Sequence, residues 1–144
     1  MAKAYRLGLL RRLANVAMTF LVRTGLAPGS SYILTTVGRR TGKRRSTPVT
    51  VLEHDGHRWL VSPYGTVGWV HNARAAGRVT LTSGRRSEDV PVIEVFAEQA
   101  APVLRQYLRE VGIVRPYFAV TVDSSLDDFA AEASQHPVFR IGEP

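Results

Sequence analysis

Five cationic side chains fall within the eight residues Gly38-Arg39-Arg40-Thr41-Gly42-Lys43-Arg44-Arg45, and no acidic residue interrupts them. Arginine presents a rigid fork of N–H donors that matches phosphate and carboxylate oxygens. Gly38 and Gly42 let backbone N–H groups approach a ligand closely. Apolar runs, Tyr32–Val37 and Thr47–Leu52, flank the stretch, so it reads as a turn between two strands that faces an anion. On charge alone, a solvated hairpin tip is the competing reading. The spacing excludes a triphosphate loop. That pattern needs four residues between its glycines and a Ser or Thr after the lysine, whereas three residues separate Gly38 from Gly42 and Arg44 follows Lys43.

No other constellation is self-sufficient. His54 and His57 flank a tight turn, and His71 and His136 stand isolated, so no metal site is expected from their spacing. The chain has no cysteine, which removes thiol chemistry, disulfides and cysteine-ligated zinc. Ser62-Pro63-Tyr64-Gly65 lacks the G-x-S-x-G form of a nucleophile elbow. Asp127 and Asp128 read as helix-start residues, and Glu88 and Asp89 as strand surface. Tyr32, Trp59, Tyr64 and Trp69 among basic residues suit single-stranded nucleic acid in principle, but no recognised nucleic-acid motif accompanies them, and no nucleic-acid partner is expected. An enzyme built on this chain needs a cofactor to carry the reaction.

The elements that must position these residues follow from periodicity. Leu7, Leu10, Leu13, Ala14, Ala17, Met18 and Leu21 recur at three and four, with Arg11, Arg12, Asn15, Thr19 and Arg23 opposite. This predicts an amphipathic helix within residues 1–25, packed on a sheet or lying on an anionic membrane. Ser31–Val37, Thr47–Glu53 and His57–Ser62 read as an antiparallel meander, with Asp55-Gly56 as a hairpin signal. Val67–Ala76 reads as a helix ending at Gly77. Arg78–Thr82 and Arg86–Phe96 read as strands joined at Ser83-Gly84, with Pro91 marking an edge or a bulge. A helix over Glu98–Val111 closed by Gly112, a short helix from Ser125, and a strand over His136–Ile141 complete the chain. The expectation is an α+β fold: a small barrel of about six mainly antiparallel strands with peripheral helices.

The totals agree. The 144 residues suit one domain over 1–144, and 44% hydrophobic residues supply a core. A net charge of +7 favours an anionic partner. No stretch has the length and polarity of a transmembrane helix, and no signal-peptide cleavage site follows the first apolar segment. A cytoplasmic location is expected, with peripheral contact at the inner face of the membrane if the first helix lies on lipid.

Gly38-Arg39-Arg40-Thr41-Gly42, Pro48, Ser62-Pro63-Tyr64-Gly65, Trp69-Val70-His71-Asn72 and Arg74-Ala75-Ala76-Gly77 together resemble the deazaflavin-dependent nitroreductase family of actinobacteria. The likeness runs from about Ser31 to Leu81, with a weaker echo at His136–Arg140. It implies a split β-barrel of the flavin-reductase and pyridoxamine-oxidase type that binds the deazaflavin coenzyme F-420. Arg39, Arg40 and Lys43, with turn N–H groups from Thr41 and Gly42, would then hold the phosphodiester and the polyglutamate tail. Pro48 and Thr50 would line the ring pocket, Ser62, Pro63, Tyr64 and Gly65 would run beside the ring, and Trp69 and Asn72 would face the cofactor cleft. A plain core anchor is the alternative for Trp69. The implied reaction is hydride transfer from the reduced coenzyme to a lipophilic acceptor such as a quinone or a nitroaromatic compound. The family's tyrosine cluster before the last strand is missing: the region reads Ser124–Glu132, and Tyr117 and Phe118 are the nearest aromatics. A fatty-acid or lipid carrier on the same barrel, and a reductase using flavin mononucleotide, are the alternatives, and a homodimer is among the assemblies the resemblance allows.

Overall fold

The computed structural model describes residues 30–143. The helix expected within residues 1–25 lies outside the described residues. Six strands follow in order: β1 (Ser31–Val37), β2 (Arg44–His54), β3 (His57–Val61), β4 (Arg78–Ser83), β5 (Arg86–Val95) and β6 (Val138–Ile141). Among the described residues three α-helices accompany them: α1 (Gly68–Ala76), α2 (Ala97–Glu110) and α3 (Leu126–Glu132). All strand pairings are antiparallel, and they close a barrel in the order β1-β2-β3-β6-β5-β4.

Two long strands each serve both halves of that barrel. In β2, Arg44–Thr50 pairs with β1 and Val51–His54 pairs with β3. In β5, Arg86–Pro91 pairs with β4 and Val92–Val95 pairs with β6. Pro91 therefore marks neither an edge strand nor a bulge. It sits where β5 changes partner, and its carbonyl still accepts from the Gly142 N–H at 2.9 Å. The absent N–H of proline falls where the ladder is handed over.

The turn chemistry follows the sequence closely. Asp55 and Gly56 take φ of +53° and +76°, the left-handed pair of a two-residue hairpin, and His54 pairs directly with His57. The basic turn is shorter than its charge suggests. β2 begins at Arg44, because Arg44, Arg45 and Ser46 pair with Val37, Thr36 and Thr35. Solvated arginines do not oppose a ladder whose backbone bonds are made.

Leu34, Val51, Leu60, Leu81, Val90 and Phe139 fill the barrel, and Val70 and Ala73 of α1 join them. Each buried valine, leucine or phenylalanine among them contributes about 1.5–3 kcal/mol on leaving water. These two residues, three apart on one helix face, are what fix α1 against the barrel, where it packs on β1 and β4. α1 ends at Gly77, whose φ of +69° and N–H bond to the Ala73 carbonyl at 2.7 Å terminate the last turn. A second cluster lies under α2. Leu104, Tyr107 and Leu108 pack with Phe129 of α3, Phe118, Trp59 and Val138. Gly112 does not close α2: the helix stops at Glu110, and Gly112 opens a 3-10 turn running to Tyr117. Ser125 caps α3, its Oγ accepting from the Asp128 N–H at 3.1 Å.

Candidate functional site: a slot between strands β2 and β3

The handover in β2 leaves its first half without a partner on the β3 side, a gap we read as a slot. Pairing between β2 and β3 stops at Val51 and Leu60. Continued, the register would set Thr50 against Val61 and Val49 against Ser62. Instead β2 turns to β1, while Val61 pairs with Val138 of β6. One lip of the slot is the first half of β2, and the other is the Ser62–Val67 segment leading to α1. The Val51 N–H points to Ser30 O of the β1 side at 2.8 Å. N–H groups alternate along a strand, so those of Ser46 and Thr50, and the N–H-less nitrogen of Pro48, face the slot. Pro48 thus costs β1 no hydrogen bond. From Thr50 to Lys43 the lip runs roughly 23 Å at about 3.3 Å per residue.

The basic turn stands at the far end of that lip. Gly38 N–H bonds to Lys43 O at 2.7 Å and Gly42 N–H to Gly38 O at 2.9 Å. Thr41 turns its Oγ1 inward, where it accepts from Lys43 N–H at 3.2 Å. A Cβ on Gly38 would lie 2.7 Å from that oxygen, so a side chain there would have to displace the Thr41 hydroxyl. Gly42 takes φ of +69°. Arg39, Arg40, Lys43, Arg44 and Arg45 are exposed. The ion pairs among the described residues are Arg58–Glu88, Arg74–Glu94 and Glu132–His136, so none of these five cations is neutralised by a carboxylate.

The second lip is stiffened by its own side chains. Ser62 is buried, and its Oγ donates to Gly65 O at 2.5 Å. Its N–H bonds to Pro137 O at 2.8 Å. Gly65 takes φ of +92°, and a Cβ there would lie 3.7 Å from Gln135 O. Tyr64 meets Tyr117 edge to face, with ring centroids 4.8 Å apart. The Pro63 carbonyl is bonded to His136 Nδ1 at 2.9 Å.

α1 ties the two ends of the site together. Asn72 is 4% exposed. Its Nδ2 donates to Thr36 Oγ1 at 3.1 Å, and its Oδ1 accepts from both the backbone N–H and Nη1 of Arg39, each at 3.2 Å. Asn72 therefore holds Arg39 rather than standing open. Trp69, half-buried, packs on Phe139 with centroids 5.6 Å apart and belongs with the barrel core.

Sequence reasoning missed three residues at this site. Thr36 lies in the run that forms β1 and carries no signal of its own, yet it anchors Asn72. His136 is not isolated: its Nε2 lies 3.1 Å from Glu132 Oε2, and its ring stacks on Phe118 at 3.7 Å. The four-residue spacing of Glu132 and His136 was a readable signal. Burial pushes the His136 imidazole below the usual histidine value, against the opposing pull of the Pro63 carbonyl and Glu132. Among the described residues no cluster of His, Asp or Glu could hold a metal ion, and no helix is long and apolar enough to cross a membrane.

A family model described as F420H(2)-dependent quinone reductase matches residues 10–124. A solved structure described as a domain-swapped dimer superposes with a TM-score of 0.59 at 19% identity, over 88% of this chain and 95% of that one. The structure of an F420-H2 dependent reductase does so with a TM-score of 0.53 at 18% identity, over 79% and 95%. A FAD-binding protein from Mesorhizobium loti gives a TM-score of 0.50 at 14% identity, over 88% and 86%. At these identities the solved structures speak for the fold.

Proposed function

The chain belongs to the F420H(2)-dependent quinone reductase family, and on that premise we propose that it transfers a hydride from reduced coenzyme F-420 to a quinone bound beside the Ser62–Gly65 loop. The class is accordingly an oxidoreductase and the cofactor is the deazaflavin. The acceptor and the residue roles are the proposal. One observation carries it: a slot with un-neutralised cations at one end and a stiff, glycine-containing loop at the other.

The chemistry of the donor set fits the coenzyme. Its phosphodiester and glutamate carboxylates need several forked or mobile cations, and Arg39, Arg40 and Lys43 supply them without first breaking an internal ion pair. The N–H of Thr41 adds a donor in the turn, while that of Gly42 is spent on the Gly38 carbonyl, so Gly42 serves through its left-handed backbone. Thr50 and Pro48 line the ring end from β2. Ser62, Pro63, Tyr64 and Gly65 line it from the opposite lip, with Gly65 permitting close backbone approach. Bound there, the reduced coenzyme supplies a hydride together with a proton, the stoichiometry that takes a quinone to its hydroquinone. The Tyr64–Tyr117 pair gives a planar acceptor an aromatic wall. Trp69 and Asn72 act from behind, Trp69 by anchoring α1 and Asn72 by fixing Arg39. Holding donor and acceptor in one slot is the main source of acceleration expected in such a site.

The test is anaerobic mixing of purified protein with reduced coenzyme F-420 and a soluble quinone, following the return of the oxidised coenzyme's absorbance. Saturable, quinone-dependent oxidation faster than the protein-free control is expected. Equal rates with and without protein would overturn the reading. A nitroaromatic compound in place of the quinone tests the other acceptor class. The lipid-carrier alternative drew on the apolar stripe at residues 7–22, which lies outside the described residues, and on the missing tyrosine cluster before the last strand.

A further inference from the structure

We propose that His136 and Glu132 are positioning residues for the ring-side lip, clasping the Pro63 carbonyl and with it the Ser62–Gly65 loop in the form that receives the coenzyme. This rests on the reading of that loop given above. His136 and the residue after it grip two consecutive loop residues, through Nδ1 to Pro63 O at 2.9 Å and Pro137 O to the Ser62 N–H at 2.8 Å. Glu132 is fixed in turn, its two oxygens accepting from the Ala119 N–H at 2.9 and 3.2 Å. Phe118 covers one face of the imidazole. The loop is thus tied to the start of β6, to α3 and to the 118–119 segment at one point.

The hydrogen inventory makes this clasp pH-sensitive. A carbonyl can only accept, so Nδ1 must carry a hydrogen. Nε2 then faces a carboxylate oxygen at 3.1 Å, a contact that needs a further proton on that line. Burial opposes that proton more than Pro63 and Glu132 favour it. Glu132 on α3 is the charged group in contact with His136; Asp127 and Asp128 of α3, Glu98, Arg109 and Glu110 of α2 and Arg115 of the 3-10 turn are exposed, and Arg105 of α2 and Arg140 of β6 are half-buried. Burial raises the Tyr107 phenol and keeps it neutral, and the charge acting on the imidazole is that of Glu132. Opening the clasp returns the ring to water, where it binds a proton more readily. The loop is therefore held above the ordinary histidine value of 6.5 and released as pH falls below it.

Two variants separate the contributions. Glu132→Gln offers an amide N–H to Nε2 while its oxygen still accepts from Ala119, so the clasp is complete with a neutral imidazole. His136→Phe keeps the stack on Phe118 and loses the bond to Pro63. The experiment follows the Tyr64 and Gly65 amide resonances of the coenzyme-free protein, and the Kd for coenzyme F-420, between about pH 7.5 and 5.5 on either side of the histidine range. In the wild type both amides should shift into acid and affinity should fall about fivefold, the worth of one hydrogen bond. Glu132→Gln should bind at least as tightly as the wild type at the upper pH and lose at least as much affinity in acid, because it removes a carboxylate that favours the imidazolium. His136→Phe should bind about fivefold more weakly throughout, without a pH response. The coenzyme's own ionisations are common to all three proteins and cancel in the comparison. Unresponsive loop amides, wild-type binding by His136→Phe, or an acid loss in Glu132→Gln clearly smaller than that of the wild type would each overturn the clasp while binding persists. Amides that respond in a protein that binds no coenzyme at any pH would overturn the functional reading, and the proposal with it.

Discussion

Replacing Asn72 by alanine tests whether this residue acts on the coenzyme directly or through Arg39. Asn72 makes two neutral hydrogen bonds, to Thr36 Oγ1 and from the Arg39 backbone N–H, and one to the Arg39 guanidinium. The neutral bonds contribute about 1 kcal/mol each, and the guanidinium, exposed to water, is counted as nothing for stability. Asn72→Ala should therefore cost about 2 kcal/mol in urea unfolding with an unchanged m-value. Its binding cost has a different origin. Without Asn72 the Arg39 side chain must be ordered when the anion arrives, a penalty of about 0.5–1.5 kcal/mol, or roughly 2- to 12-fold in Kd. Arg39→Ala removes a charge-assisted bond and should cost about 1.5–3 kcal/mol by itself. In the double variant most of the Asn72 cost should vanish, because there is no arginine left to position. Fluorescence titration of coenzyme F-420 against the four proteins of the cycle reads this directly. Costs that add to within about 0.5 kcal/mol would refute the argument and return Asn72 to direct contact with the coenzyme.

Two smaller perturbations probe the lips. Ser62→Ala should destabilise by only about 1 kcal/mol despite its burial, because Gly65 O keeps its second bond from the Val67 N–H at 3.0 Å; a loss well above that in denaturant titration would show that the hydroxyl has further duties. Gly42→Ala should cost about 1–2 kcal/mol from the left-handed backbone alone, since a Cβ there meets nothing within 4 Å, whereas Gly68→Ala, equally free of contacts and at a helical position, should be neutral or slightly stabilising in thermal unfolding.

The local chemistry of this fold is legible residue by residue. Asp55-Gly56 announced a two-residue hairpin, and Gly77 and Ser125 announced helix ends, because those residue types satisfy backbone constraints that few others can. What the chain could not announce is partnership across distance. Pro91 carries the same local signal at an edge and at a change of partner, and only the barrel's closure distinguishes them. Thr36 and Asn72 are 36 positions apart, so their bond is invisible until α1 is seated by Val70 and Ala73. His136 was read as isolated because its partners, Pro63 and Phe118, approach from separate elements. The basic turn was visible as charge, but the slot that gives it a direction comes from the register at which β2 leaves β3.

The first half of β2 has a consequence beyond the ligand. An unpaired strand margin is a template for another chain, and a long apolar one invites edge-to-edge aggregation. Here the margin begins with Arg44 and Arg45 and continues through Ser46 to Pro48, which offers no donor. Two molecules approaching through this margin would bring like charges together before any backbone bond could form. The same arginines that mark one end of the slot thus serve as gatekeepers of colloidal stability for a half-strand that is unpaired on this side among the described residues.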